Sequence, residues 1–452
     1  MPTIPPAGPR APLVLILALA AAGCERPFVA PDPVVLSETS PDLSVVQTAE
    51  ALPLRLRVSD AAGVERVMVN GEAASPSPEP GVFLDTLRLR LGLNPLFVAV
   101  LDDEGNVAED TLYAAYLPYE TALAGPLPER RYGHTATALA DGSVLIAGGF
   151  DETGAAGSAL LAREAVGLVT YTPLPDSLHR PRGGHTATRL PDGRVLFLGG
   201  AGDAAGGPSQ FVAEAEVYDP ATRTFTVVPV EGEPPRRYAH AALALESGGR
   251  VFVYVYGGLE AHAGGTTPTG TLVVLELREE DGADVLTVIS PPGGIGALPP
   301  TYGHALLPLP PAGDLQRALA LGADLGAAEP LPFALRLTFH PSTAFFPFEI
   351  ETEAIAPPDT ALAAFGATEV LPGLVVLSGG QAPPFTPAPP LDELRLYAAG
   401  AGRIFTFPEH VRLRIPRSRH TATLLPSGRI LLVGGVGTDT GALDQTELIG
   451  PN

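Results

Sequence analysis

Residues 182–200 read RGGHTATRLPDGRVLFLGG. His185, flanked by Arg182, Thr186 and Thr188 and followed by the pair Gly199-Gly200, has the makings of a small catalytic cluster. The phrase is not unique. RYGHTATALADGSVLIAGG begins at Arg131, RYAHAALALESGGRVFVYVYGG at Arg237 and RSRHTATLLPSGRILLVGG at Arg417. Two weaker copies lie between the third and the last: YGHALLPLP running on to ALALGAD, and AAFGATEVLPGLVVLSGG. The anchors are His134, His185, His240, His304, Phe365 and His420, separated by 51, 55, 64, 61 and 55 residues by subtraction.

Each copy has the pattern of a β-hairpin. His-Thr-Ala-Thr-x-Leu alternates as a first strand, Asp-Gly supplies a turn, and Val-Leu-x-x-Gly-Gly is a second strand. The paired glycines Gly148-Gly149, Gly199-Gly200, Gly257-Gly258, Gly379-Gly380 and Gly434-Gly435 fit a chain leaving a sheet where a Cβ would clash, a steric role. Gly322-Ala323 takes that place in the fourth copy. Beyond the second pair, EAEVYDPATRTFTVV supplies two further strands, with Phe225 in the latter, and FHPSTAFF is its echo in the fourth copy. The chain stops at TELIGPN, which aligns with EAEVYDP, so the sixth copy lacks its last strand. TALAGPLPERR, just ahead of the first copy, stands where a closing strand is needed, and would remove an open sheet edge.

These motifs and a period of roughly 50 residues resemble kelch repeats, each of which implies one four-stranded blade. The resemblance spans residues 118–452 and implies an all-β, six-bladed kelch-type β-propeller. The histidines then recur because the blade recurs: five of the nine sit at one equivalent position, whereas catalysis needs a single unusual one. Equivalent positions on adjacent sheets stand about 10 Å apart, too far for shared zinc ligation at about 2 Å, so no metal is expected.

Residues 41–117 have a shorter period. LPLRLRVSD, GVERVMVNG, VFLDTLRLRL, NPLFVAVLDDEGN and DTLYAAYL alternate apolar and polar residues, so Leu54, Leu56 and Val58 face a core and Arg55 and Arg57 face water. The run from Ser59 to Gly71 and the D-x-x-G-N turn ending at Asn106 resemble bacterial immunoglobulin-like modules, implying a small β-sandwich. Asp102, Asp103 and Glu104 lack the further ligands of a calcium site, and a hairpin turn is expected there.

Gly 51, Pro 50 and 45% hydrophobic residues favour many short strands over disorder. A net charge of −22, with every basic residue an Arg, repels phosphate backbones and excludes nucleic acid as a partner. At the N-terminus, Arg10 precedes LVLILALAAA, which is too short to span a membrane but suits a secretory h-region. Ala21, Ala22, Gly23 and Cys24 resemble a bacterial lipoprotein box, which implies a signal peptide over 1–23 and a lipidated Cys24. Cys24 is the only cysteine, so no intramolecular disulfide exists, and acyl chains there would hold the protein on a membrane. A Pro-rich tether is expected over 24–40. Glu25 after the cysteine, rather than Asp, favours the outer membrane of the cell envelope.

No nucleophile elbow, HExxH or phosphate-cradling glycine loop appears. The cysteine-tyrosine copper site of galactose-oxidase-like propellers and the Asp-boxes of sialidases are likewise missing. The resulting expectation is a lipid-anchored binding or scaffolding module without cofactor, recognising a protein, peptide or glycan through propeller loops. The alternative is a carbohydrate-active propeller enzyme with a loop-borne site. Arg131, Arg182, Arg237 and Arg417 stand three residues before the repeat histidines. They form either a basic arc for a carboxylate-bearing partner or a set of structural pairs with acidic side chains.

Overall fold

The computed structural model describes residues 35–40 and 42–451, apart from 60–62, 166, 204–209, 263–264, 292–293, 295–297, 314, 342–347, 359, 384–387 and 440. The signal segment and Cys24 lie outside the described residues. The fold is all-β and divides into two compact units, 1–118 and 119–452.

The first unit pairs two four-stranded antiparallel sheets. Period-two alternation places Leu52, Leu54, Leu56 and Val58 of the strand Ala51–Ser59 in one core with Val67, Val69, Leu96, Val98 and Val100. Each fully buried aliphatic side chain contributes about 1.5–3 kcal/mol. Arg55 and Arg57 face outward, and both bond Glu79. Val35–Ser40 pairs with Ala51–Ser59 as an edge strand, so the tether expected to reach residue 40 ends earlier. Pro27, Pro31 and Pro33 all precede Val35, and no proline interrupts the following run, whose N–H groups can therefore pair. The 102–106 segment is a hairpin turn: Asp102 Oδ1 accepts the Glu104 and Asn106 amides, and its Oδ2 accepts Asn106 Nδ2.

The second unit contains six successive sheets of the repeat type. Their first strands are Thr135–Ala138, Thr186–Arg189, Ala241–Ser247, Ala305–Ala312, Gly366–Leu371 and Thr421–Leu424. Each touches the first strand of the next sheet, and the sixth returns to the first. Apolar side chains fill the gaps between neighbouring sheets. Leu145 and Leu161 of the first meet Val195, Phe197 and Tyr218 of the second, and Leu431 and Val433 of the sixth meet Val144 and Ile146 of the first. The sixth sheet is completed from the other end of the chain, where Glu120–Pro126 pairs antiparallel with Gln445–Gly450. The third sheet gains a fifth strand, Val230–Glu231. A hairpin at Leu259–His262 and Gly265–Pro268 adds a small sheet against Arg237–Tyr238.

The closing strand carries a stability test. A chain spanning residues 119–452 should melt in one cooperative transition, because its ring is complete. A chain spanning 129–452 should expose the Gln445–Gly450 edge, lose Ala124 and Leu127 from the core, and aggregate or melt broadly. Calorimetry with size-exclusion chromatography reads both, and equal behaviour of the two chains contradicts the closure.

Candidate functional site

The innermost feature of the second unit is a cycle of backbone hydrogen bonds. Gly184 N–H donates to Gly133 O, Ala239 to Gly184, Gly303 to Ala239, Ala364 to Gly303, Arg419 to Ala364, and Gly133 closes the cycle onto Arg419 O, all at 2.7–2.9 Å. All six residues are left-handed, with φ between 53° and 61°. That conformation turns each amide N–H along the ring toward the preceding sheet. Glycine adopts it freely, whereas Ala239, Ala364 and Arg419 do so against about 1–2 kcal/mol of Cβ strain.

The repeat histidines form a second ring just behind the first. His185 Nε2 hydrogen-bonds Thr135 Oγ1, His240 bonds Thr186, and His134 bonds Thr421, each at 3.1 Å and each reaching from one sheet to its neighbour. The pairing accounts for the irregular copies. The third sheet has Ala241 in the threonine position, and neither ring nitrogen of His304 finds a partner among the described residues. The fourth has Ala305 there, and Phe365 replaces the histidine of the fifth. The fifth has Gly366, whose missing side chain lets His420 reach Ser378 Oγ instead, at 2.8 Å; a Cβ on Gly366 would lie 2.7 Å from His420 Nε2.

Burial holds all five imidazoles neutral, pushing His240 and His304 down to about 3 and His134, His185 and His420 well below 6.5. Among the described residues, no group of three His, Cys, Asp or Glu side chains could hold a metal ion.

The four repeat arginines do not form an exposed arc. Arg131, Arg182, Arg237 and Arg417 are at most 1% exposed. In each, Nη1 donates to the carbonyl of the first glycine of its own pair, at Gly148, Gly199, Gly257 and Gly434, and to a carbonyl beside the third strand. The glycine pair leaves those carbonyls without ladder partners, and the guanidinium fork supplies donors.

Arg182 also pairs with Glu216 at 2.5 Å and Arg417 with Glu447 at 2.6 Å, both pairs fully buried. Arg131 uses Glu129 and Ser158, and Arg237 uses Thr271. These side chains are structural, and a partner cannot reach them. Removing one member of such a buried pair costs about 3–5 kcal/mol.

The glycine pairs lie where neighbouring sheets approach most closely. A Cβ on Gly148 would lie 2.6 Å from Arg182 O, and one on Gly149 would lie 2.8 Å from the His134 Cβ. The Gly149 amide donates to Arg182 O, and Gly200, Gly258, Gly380 and Gly435 make the equivalent bond to Arg237, Thr301, Arg417 and Arg131.

Along the axis of these rings runs a cavity of about 230 Å³, lined by the repeat histidines, Phe365, Gln381, Tyr238, Tyr302 and Arg419. Its mouth is aromatic. Tyr132 packs on Phe150 with centroids 5.6 Å apart, Phe150 on Tyr238 at 6.2 Å, and Phe211 on Tyr238 at 6.5 Å. The Arg419 guanidinium lies 5.9 Å from the Tyr132 ring centroid. Neither Arg419 nor the tyrosine rim stands out in any single copy. They emerge when the copies RYGH, RGGH, RYAH, TYGH, LAAF and RSRH are stacked, because the third column is Gly or Ala except at Arg419.

No family model matches this chain, and no curated protein matches it. Among solved structures, one titled "Structure of YjhT" is similar: it is 14% identical, covers 72% of this chain and 96% of its own length, and superposes with a TM-score of 0.50. At that identity the likeness concerns the fold alone.

The buried histidines make stability depend on pH. Unfolded imidazoles take up protons below about 6.5, whereas the folded ones stay neutral until far lower. Their contribution is therefore complete above pH 6.5 and is lost as pH falls toward 3, by up to about 1.4 kcal/mol per pH unit for each histidine. Denaturant melts between pH 7 and 5 should show this loss, and His304→Phe should reduce its slope by about a fifth. A flat profile over that range contradicts the assignment.

Proposed function

We propose that this chain is a lipid-anchored binding or scaffolding protein of the bacterial cell envelope. Its second unit is read as a six-bladed kelch-type β-propeller closed by an N-terminal strand, and its first as an immunoglobulin-like spacer. Cys24 carries the acyl chains, on the outer membrane. The protein is read as a non-enzymatic module that recognises a protein, peptide or glycan at the propeller face around the axial mouth.

The observation that carries this reading is the fate of the repeat histidines. Four of the five spend Nε2 on a hydroxyl of the neighbouring sheet, and all five are held neutral by burial. General acid-base work needs a group that exchanges protons near the working pH. These groups do not, so the histidine cluster of the opening phrase is read as architecture. The solvent-facing groups of the same rings, by contrast, are three tyrosines and one arginine, residue types that dominate recognition hot spots. The Arg-based recognition that is one of the two readings of the sequence accordingly moves from the four buried arginines to the mouth.

Two measurements test the reading. Mass spectrometry of the membrane-extracted protein should find acyl groups on Cys24, and an unmodified mature chain starting elsewhere contradicts the anchor. Affinity capture from envelope extract with residues 25–452 should weaken on Tyr132→Ala plus Tyr302→Ala and persist on Leu168→Ala, which alters an exposed outer strand. Equal capture by all three places recognition away from the mouth.

A further inference from the structure

Arg419 is anomalous on three independent counts. It is the only residue of the inner backbone cycle with a long side chain, the other five being Gly133, Gly184, Ala239, Gly303 and Ala364. It adopts φ 53°, where a glycine would be unstrained, although the cycle uses only its backbone. Its exposed guanidinium has no hydrogen bond or ion pair among the described residues, whereas both terminal nitrogens of Arg131, Arg182, Arg237 and Arg417 are bonded. Ala239 and Ala364 carry the same strain with small side chains, whereas at position 419 it is borne by a long charged side chain whose guanidinium faces the Tyr132 ring.

The surroundings indicate what that purpose is. Tyr132, Tyr238 and Tyr302 stand one position before the cycle residues of their own sheets. All three are half-buried, and their hydroxyls make no hydrogen bond among the described residues. Burial raises the Tyr132 and Tyr302 hydroxyls above the ordinary phenol value, against the pull of Arg419, so both remain O–H donors. Below them His304, the one repeat histidine without a partner, lines the same cavity. The mouth thus gathers one free cation, several free donors and flat aromatic faces.

Size and charge narrow the occupant. A cavity of about 230 Å³ is smaller than most pockets for drug-sized molecules. Asp151 and Asp203 act on Tyr132 from the rim, and the chain as a whole carries −22, so a polyanion meets repulsion that a single guanidinium does not offset. A planar, bidentate fork suits one carboxylate.

We propose that the axial mouth binds a small molecule carrying a single carboxylate beside a flat ring, with the carboxylate on Arg419 and the ring against the tyrosines. This deepens the binding-module reading and rests on it.

The test uses purified residues 25–452 and isothermal titration calorimetry with benzoate and 4-hydroxyphenylacetate. Benzamide and 4-hydroxyphenylacetamide are their neutral counterparts. At least one carboxylate should saturate at one site per chain and bind about tenfold or more tightly than its neutral counterpart. Arg419→Gly and Arg419→Gln should each weaken it about tenfold or more. Arg419→Gly should also melt at or above the wild-type temperature, because it relieves the left-handed strain. Arg223→Gly relieves the same left-handed strain, at φ 61° in an exposed outer turn, and should leave carboxylate binding unchanged, which separates a general effect of strain and charge from a lost ligand contact.

The proposal is overturned if no carboxylate saturates the wild type, if neutral counterparts bind equally, or if both Arg419 variants bind as the wild type does. Any of these, with envelope capture still sensitive to the tyrosine rim, removes the carboxylate site and leaves the binding-module reading intact.

Discussion

Six backbone hydrogen bonds, from Gly133 round to Arg419 and back, set the geometry of the second unit. Each joins one sheet to the next, so the cycle closes only when all six sheets are in place. The cycle demands a left-handed residue at every step, which explains the glycine before three of the six anchor residues, whereas Ala239, Ala364 and Arg419 meet the demand under strain. It also fixes the following residue, the anchor histidine, with its ring directed at the neighbouring sheet. The same turn leaves the glycine-pair carbonyls unpaired on the other side, where the buried arginines meet them.

Degeneracy in the repeat is therefore coupled between neighbours. A threonine on one sheet is useful only if the next carries histidine, and loss of either relaxes the demand on the other. Ala241 leaves His304 unpartnered, Ala305 is followed by Phe365, and Gly366 is rescued by Ser378. What reads along the chain as decay of a motif is, across the ring, compensated at Phe365 and Ser378 but not at His304, whose buried nitrogens stay unsatisfied among the described residues. An unsatisfied buried polar group costs about 1–3 kcal/mol.

Much of this arrangement is legible in the sequence. Six copies of the anchor phrase coincide with six sheets, five of four strands and the third of five, and the closing strand expected in TALAGPLPERR is found at Glu120–Pro126, because a period that leaves one edge open specifies what must fill it. Less legible are features that depend on contacts between copies. For Arg182 and Arg417 the sequence leaves a basic arc and structural acidic pairs both open, and their partners Glu216 and Glu447, 34 and 30 residues away, are identified only by the fold. The Val35–Ser40 strand lies next to a proline-rich run whose composition masks it. Arg419 becomes conspicuous only when the copies are stacked, since its oddity is the absence of glycine where the backbone prefers one.

The central claim is that the inner cycle is one cooperative unit closing the ring. Native-state hydrogen exchange of the amides of Gly133, Gly184, Ala239, Gly303, Ala364 and Arg419 tests it most directly. All six should exchange only through global unfolding, with a single shared free energy and the same denaturant dependence. Exchange of even one sheet's amide through a separate local opening, well below the global value, would contradict the claim.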